Sequence, residues 1–160
     1  LASSGGDHNR GIYLGGNPAS GTLTNAIDFI TFSTVGNSTD FGDLTQARST
    51  GAVGQISSAT RSIAGGGLTP SASDVIDYVT TATTGNAIDF GNLSAATGNL
   101  AACSSVTRGL FAGGNSPAVK DLIEFITIAS TSNTTDFGDL AKPRQQFTGM
   151  SDAHGGLQGG

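Results

Sequence analysis

The sequence has little charge: Asp, Glu, Lys and Arg together make up only 12% of its 160 residues. Its two lysines are Lys120 and Lys142, and the net charge is −5. Such a surface repels phosphate backbones, so nucleic acid is not an expected partner. The single cysteine, Cys103, excludes an internal disulfide framework and is expected to be a small core residue. No run approaches eighteen apolar residues, so no segment is expected to span a membrane.

Strong helix formers are also scarce, because Leu, Glu, Lys and Arg are few while Thr, Ile, Val and Phe are prominent. Hydrophobic residues make up 36% of the chain, and 25 residues are glycine. A chain of this length can bury a real core. The composition therefore predicts one all-β domain with many glycine-rich turns.

One segment occurs three times and organises the chain. Each copy opens with an arginine and contains paired glycines, an apolar stretch with one acidic residue, and an Asp-Phe-Gly triplet. The arginines are Arg10, Arg61 and Arg108, the glycine pairs are at 15–16, 66–67 and 113–114, and the triplets are at 40–42, 89–91 and 136–138. We therefore interpret residues 1–160 as a single array, with repeats over 10–60, 61–107 and 108–153 and a partial repeat over 154–160.

Each repeat contains four strand-like pieces, which in the third copy are 109–112, 122–129, the piece leading into Asp136, and 147–151. A four-stranded unit of this size is typical of a β-propeller blade. A propeller ring normally closes with four to eight blades. The three full repeats, with a surplus strand pair contributed by the chain ends, therefore predict a ring completed by other chains or by a longer array. A three-fold β-prism or β-trefoil is the alternative.

The repeated pattern resembles the kelch repeat, in which an apolar strand ends in Gly-Gly and two aromatics, a leucine and an arginine follow. The residues that carry this likeness are Gly113, Gly114, Phe125, Phe137, Leu140 and Arg144 in the third copy, with Arg48 in the first and Thr97 at the same place in the second. The usual repeat has tryptophan where Phe137 stands, and this chain has none.

The phrase T-x-DFGDL-x-x-x-R…TRG-x-FAGG is similar to kelch-like repeats in structural and tail-fibre proteins of bacteriophages. The resemblance implies a β-propeller that serves as a virion or adhesion module, located in the virion or outside the cell. It also implies a homo-oligomer or other virion proteins as partners, and a glycan or protein of the host surface as a possible ligand.

The residues that recur in every copy are best explained by packing and turns. The three phenylalanines of the triplets are expected to fill the space between blades, and the three glycines to adopt positive φ. The three aspartates of the triplets are expected to accept backbone N–H groups in that turn. The acidic residues Asp28, Asp77 and Glu124 are expected to pair with the arginines Arg10, Arg61 and Arg108. As an alternative, three equivalent carboxylates could line a channel and bind a ligand.

Catalysis, metal and cofactors are not expected. No nucleophile with a base and an orienting group is recognisable, and the kinase motifs that accompany Asp-Phe-Gly are missing. The two histidines, His8 and His154, are too few for a zinc site. The carboxylate pair Asp40 and Asp43 suggests calcium, but the second copy has Asn92 in place of the second carboxylate, which argues against it.

Binding is expected in the segments that differ most between copies, 17–24, 68–73 and 115–120, because ligand-contacting residues concentrate in loops. The candidate ligand-binding residues there are Asn17, Ser20, Thr22, Thr69, Ser71, Ser73, Asn115, Ser116 and Lys120. The function expected from the sequence is a non-enzymatic structural or receptor-binding module of a virion. The alternative is a carbohydrate-binding lectin with its sites in these loops.

Overall fold

The computed structural model describes residues 4–6, 9–18 and 21–151. The strands are β1 (Ser4–Gly6), β2 (Arg10–Gly16), β3 (Thr24–Thr31), β4 (Thr39–Asp43), β5 (Ser49–Ser57), β6 (Arg61–Leu68), β7 (Val75–Thr80), β8 (Ile88–Asn92), β9 (Ala101–Ser104), β10 (Arg108–Ala112), β11 (Leu122–Thr127) and β12 (Thr135–Asp139). Across these described ranges no residue is helical, so no helix there could cross a membrane.

The strands form three antiparallel sheets of four strands each, and within each sheet the strands that follow one another in the chain pair with each other. The first sheet is β1–β4, the second is β5–β8 and the third is β9–β12. The predicted all-β fold with four-stranded units is therefore confirmed. Each sheet begins one strand before its repeated arginine, because the last piece of a repeat pairs with the first strand of the next repeat, as β5 does with β6.

A bulge recurs at the acidic residue of each third strand. The register shifts between Ile27 and Asp28, between Ile76 and Asp77, and between Ile123 and Glu124. A bulge bends a strand and increases its twist. All three sheets thus carry the same distortion at the same place, which keeps them similar in shape and able to stack.

The sheets pack face to face through two separate cores. The first core lies between the first and second sheets and contains Ile12, Leu14, Ile27, Phe41, Leu44, Val53, Ala64 and Val79. The second core lies between the second and third sheets and contains Ile56, Ile63, Ile76, Phe90, Leu93, Leu100, Phe111, Ile126 and Ile128. The second sheet is therefore buried on both faces.

The Asp-Phe-Gly triplets, predicted to form turns, instead lie within the last strand of each sheet, in β4, β8 and β12. In β4 and β8 they bring neighbouring sheets into close contact. Gly42 and Gly91 have φ angles of 144° and 146°, as predicted for these glycines. A Cβ at Gly42 would clash with the carbonyl of Gly85, and one at Gly91 would clash with the carbonyl of Ser132. Glycine is required at these two positions by both the backbone angle and the space available.

The predicted strand over 147–151 is not formed. In the first two copies the equivalent piece pairs with the arginine-led strand of the next repeat, as β9 pairs with β10. After residue 151 the corresponding segment, with His154, lies outside the described residues. Within the described part, Gly149 instead lies against the backbone of Ala102 in β9.

Candidate binding surface

A buried ion pair joins the first two sheets. The Nη2 atom of Arg48, in the linker after β4, donates to Oδ2 of Asp77 at 2.7 Å, and both side chains are fully buried. Arg48 Nη1 donates to the carbonyls of Gly66 and Val75, and Thr45 Oγ1 donates to Asp77 Oδ1 at 2.6 Å. Burial raises the pKa of Asp77, while the bonds from Thr45 and Arg48 oppose that shift. Burial likewise lowers the pKa of Arg48, against the attraction of Asp77. The pair holds the linker and the second sheet together.

The predicted pairing of Asp77 with Arg61 is wrong. In the strand register Ile63 lies opposite Tyr78, and Ala64 lies opposite Asp77. Because side chains alternate along a strand, Arg61 shares the face of Ile63 and Tyr78, whereas Asp77 points to the other face. Instead, the guanidinium of Arg61 lies over the Tyr78 ring at 4.4 Å. The same stacking occurs between Arg10 and Phe29 and between Arg108 and Phe125, each at 4.9 Å.

These arginines also link one sheet to the next. Arg10 Nη1 donates to the Thr81 carbonyl at 3.1 Å, and Arg61 Nη1 donates to the Ile128 carbonyl at 2.6 Å. The stacked aromatic in turn contacts the phenylalanine of the Asp-Phe-Gly triplet edge to face. Those pairs are Phe29 with Phe41, Tyr78 with Phe90, and Phe125 with Phe137. The repeated arginine is therefore a packing residue rather than a ligand-binding one.

The second interface has no arginine at the place of Arg48, because Thr97 stands there. The acidic residue of that interface, Glu124, accepts from the Ser94 N–H at 2.9 Å and from Thr134 Oγ1 at 2.7 Å. A cavity of about 10 Å³ remains beside Thr97 and Glu124. That volume suits about one water molecule, so this carboxylate does not open onto a ligand-sized site.

The three variable loops all connect the second and third strands of their sheets, at the end of the sheets that carries the paired glycines. The linkers between sheets reach the same end. Gly16 N donates to the Arg48 carbonyl at 3.2 Å, and Gly98 and Asn115 exchange two backbone hydrogen bonds at 3.0 and 2.9 Å. The loops and linkers together thus form one continuous surface, which we call the loop end.

Three of the candidate residues hold the loop end together. Ser73 is buried, and its Oγ lies 3.2 Å from Gln46 Oε1 as a donor. Asn115 Oδ1 accepts from Asn99 Nδ2 at 2.9 Å. Lys120 Nζ donates to Thr97 Oγ1 at 2.7 Å. These side chains are occupied by contacts within the protein. Their partners Gln46, Asn99 and Thr97 lie in the linkers between sheets and were not among the candidates from the sequence. These linkers meet the loops only when neighbouring sheets are packed together.

The remaining candidates lie on the outer surface of the loop end or outside the described residues. Asn17, Thr22 and Ser71 are exposed, Thr69 and Ser116 are partly buried, and Ser20 lies outside the described residues. The exposed groups are an amide and hydroxyls, which donate and accept hydrogen bonds without carrying charge. The surface that they form suits a polar, uncharged ligand such as a sugar.

A second concavity lies at the opposite end of the sheets. It is an open apolar depression of about 310 Å³, bounded by the β5–β6 turn, the β9–β10 turn and the end of β11. Its lining includes Ala59, Val106, Ile128 and Ala129, and none of its described lining residues carries charge. A small-molecule site normally adds a few convergent polar groups to such a surface. Among its described lining side chains, the polar groups are the hydroxyls of Ser58, Thr60, Thr107 and Thr127.

The carboxylates of the Asp-Phe-Gly triplets are exposed. Asp136 Oδ1 accepts the N–H of Gly138 at 3.0 Å, the type of bond predicted for this aspartate, although it forms within strand β12 and not in a turn. In the ranges that the structure describes, no group of three or more His, Cys, Asp and Glu side chains is placed to hold a metal ion. Both histidines, His8 and His154, lie outside those ranges.

Comparisons with known proteins identify the fold but not a family. No protein-family profile matches the chain, and no curated protein matches it. Many solved structures do match, among them the structure of YjhT, with a TM-score of 0.71 and 11% sequence identity. The match covers 90% of this chain and 53% of that chain. At this identity the likeness concerns the fold alone, and this chain spans about half the length of that structure.

Proposed function

We propose that the three sheets are consecutive blades of a kelch-like β-propeller. Four-stranded antiparallel sheets that follow one another in the chain and pack face to face support this arrangement. The first strands of the sheets also lie together, with β5 against both β1 and β9. A closed β-prism or β-trefoil is less well supported, since its third repeat would cover its first, whereas Tyr13 and Phe137 are 41% and 52% exposed.

We further propose that this array is a non-enzymatic structural and receptor-binding module of a virion. One observation carries the binding role: residues that recur between copies are engaged in packing, whereas the segments that differ form one surface, the loop end. Arg61, for example, stacks on Tyr78, and each copy contains the same kind of pair. Asn17 and Ser71, in contrast, are exposed in loops whose sequences differ between the copies. A rigid scaffold that presents variable loops is the usual arrangement for recognition. The virion assignment rests on the resemblance of the repeats to phage proteins.

A carbohydrate is the second candidate ligand class within the same surface. The exposed side chains of Asn17, Thr22 and Ser71 are uncharged hydrogen-bonding groups, which match sugar hydroxyls better than they match charged ligands. A lectin would use such groups in each repeat, which predicts up to one sugar site per sheet.

Binding to bacterial surfaces tests the proposal. The labelled chain would be applied to intact bacterial cells and to an array of bacterial surface polysaccharides. A triple variant, Asn17→Ala, Thr22→Ala and Ser71→Ala, alters the loop end. The matched control, Ser33→Ala, Thr84→Ala and Thr131→Ala, removes three exposed hydroxyls in the turns at the opposite end.

We expect the loop-end variant to lose binding and the control to keep it. Binding to cells but to no polysaccharide would favour a protein receptor over a sugar. Equal loss in both variants, or no binding by the well-folded wild type, would contradict the receptor-binding role. Release of shortened polysaccharide during the incubation would contradict a non-enzymatic module.

A further inference from the structure

The array ends in two faces that no described sheet covers. The face of the first sheet that carries Tyr13, Asp28 and Phe32 is called the leading face. The face of the third sheet that carries Ala112 and Phe137 is called the trailing face. Phe32 is 61% exposed and Phe137 is 52% exposed. Their counterparts in the buried interfaces are enclosed: Ile128 is 3% exposed, Thr81 0%, and Phe41 and Phe90 2% each. Both faces thus expose residues whose equivalents in the other sheets are buried.

The sizes of the side chains on these two faces are complementary. In the first interface Leu14 of one sheet shares a core with Ala64 of the next. In the second interface the corresponding positions hold Gly65 and Phe111, and the Phe111 ring fills the space over the glycine. A large residue therefore meets a small one each time. On the open faces the same positions hold Ala112 on the trailing face and Tyr13 on the leading face, again one small and one large.

The charges are complementary as well. Arg144 follows the third sheet where Arg48 follows the first, and Asp28 occupies in the first sheet the place that Asp77 occupies in the second. Both Arg144 and Asp28 are exposed. Asp28 also lies opposite Asp40 in the strand register, and like charges in that arrangement are unfavourable. An arginine delivered to Asp28 would reproduce the Arg48–Asp77 pair and relieve this repulsion.

Hydrogen bonds from backbone N–H groups of one sheet to asparagine side chains of the next predict the same fit. The Asp43 N–H donates to Asn86 Oδ1 and the Asn92 N–H donates to Asn133 Oδ1, each at 3.0 Å. The corresponding pair on the open faces is the Asp139 N–H and Asn37.

The space beside the Asp-Phe-Gly triplet of β12 is also open on the trailing face. Gly42 lies against the Gly85 carbonyl of the next sheet, whereas no heavy atom lies within 4 Å of a Cβ built at Gly138. The segment at 36–38 of a leading face is the one that would fill this space, because it corresponds to 85–87 in the second sheet.

We propose that the trailing face of one copy docks on the leading face of a second copy, and that two copies close reciprocally into a ring of six sheets. This proposal rests on the propeller arrangement proposed above. Six is the multiple of three that falls within the usual range of four to eight blades. A two-copy ring also agrees with the match of this chain to about half of the YjhT structure, at 53% of that chain. The new interfaces repeat the two already present within each copy.

Charge reversal tests the head-to-tail pairing. The variants are Asp28→Arg and Arg144→Asp, and both positions are exposed, so the cores of the single chain stay intact. Each variant alone would place like charges in both interfaces of a pair. A mixture of the two restores an arginine opposite an aspartate in both interfaces, but only between unlike chains. Thr83→Arg and Thr83→Asp, in an exposed turn of the second sheet, are the matched controls.

Light scattering during size-exclusion chromatography measures the mass, native mass spectrometry identifies the chains, and circular dichroism checks the fold. We expect the 160-residue wild type and both controls to have twice the mass of one chain. Each charge-reversed variant alone should be monomeric and folded, and their mixture should form a dimer with one chain of each kind.

Several results would overturn the inference. They are a wild type that stays monomeric as its concentration is raised, single variants that remain dimeric, a mixture that stays monomeric while the wild type dimerises, and assemblies of more than two copies. The proposed function is tested separately, by the binding of the protein to bacterial cells. A monomeric chain that binds cells through the loop end would therefore remove this inference and leave the proposed function standing.

Discussion

The guanidinium of Arg48 lies 2.7 Å from the carboxylate of Asp77, and neither side chain is exposed to solvent. The arginine comes from the linker after the first sheet and the aspartate from the third strand of the second sheet. Between the second and third sheets, Thr97 and Glu124 stand at the positions equivalent to Arg48 and Asp77, so no arginine faces the acidic residue there. The protein therefore contains two different ways to bury an acidic residue, which can be compared directly.

Removing one member of the Arg48–Asp77 pair should destabilise the protein far more than removing both. Arg48→Met and Asp77→Leu each leave a buried charge without its partner, which typically costs about 3–5 kcal/mol. The double variant buries apolar groups only, so its loss of stability should be much smaller than the sum of the single losses. Urea unfolding at neutral pH gives the free energies of unfolding. The exposed Lys142→Met is the control, with an expected change of about 0.5 kcal/mol or less. Additive single losses would contradict the pairing.

The second interface, where a large residue packs on a small one, should tolerate an exchange of the large and small residues between the two positions. Phe111→Ala leaves a cavity and should cost about 3–5 kcal/mol. Gly65→Leu should also destabilise, because a Cβ at Gly65 lies 2.6 Å from the Phe111 ring. The double variant recreates the Leu14–Ala64 combination of the first interface and should recover much of the loss. Thermal unfolding followed by circular dichroism measures this, and a double variant less stable than either single one would contradict it.

Successive side chains of a strand point to opposite faces, and this alternation says more about the contacts between sheets than composition or repeat length does. Four strands in each of the first two repeats and positive φ at Gly42 and Gly91 were predicted and are confirmed, since both follow from local rules, whereas the predicted fourth strand of the third repeat is not formed. The partner of Asp77 was not predicted correctly. Strand alternation separates Asp77 from Arg61, but its true partner, Arg48, precedes the sheet and reaches it only after two sheets pack.

Residues of identical type in the three copies differ in exposure for the same reason. Phe41 and Phe90 are each 2% exposed and Phe137 is 52% exposed, although all three stand in the same triplet. The difference comes from the neighbouring sheet and not from the local sequence. The same holds for the candidate site: loop variability located the loop end, but the bonds that occupy Ser73 and Lys120 depend on linkers from adjacent sheets.

Glycine in an Asp-Phe-Gly triplet should be far less replaceable than glycine in a loop. Gly21 has a φ of 77°, and no heavy atom lies within 4 Å of the place that a Cβ would take, so Gly21→Ala should cost only the backbone strain, about 1–2 kcal/mol. Gly91→Ala adds a clash with the Ser132 carbonyl to a φ of 146° and should cost clearly more. Denaturant unfolding of the two variants side by side checks this order. Equal losses would show that the contact between Gly91 and Ser132 is loose in solution.

The thiol of Cys103 should make the protein less stable in alkali. Burial raises the pKa of this group in the folded protein, so the folded state holds the proton more tightly than the unfolded state does. Stability from this group is fully present below the ordinary thiol pKa of about 8.5 and is lost as the pH rises through the folded value. Wild type should therefore lose stability relative to Cys103→Ala above about pH 8.5, in urea unfolding under reducing conditions. The rate of alkylation by iodoacetamide should also rise at higher pH in the folded protein than in the urea-unfolded protein. Coinciding rate profiles, or a stability difference that stays constant with pH, would contradict a shifted thiol.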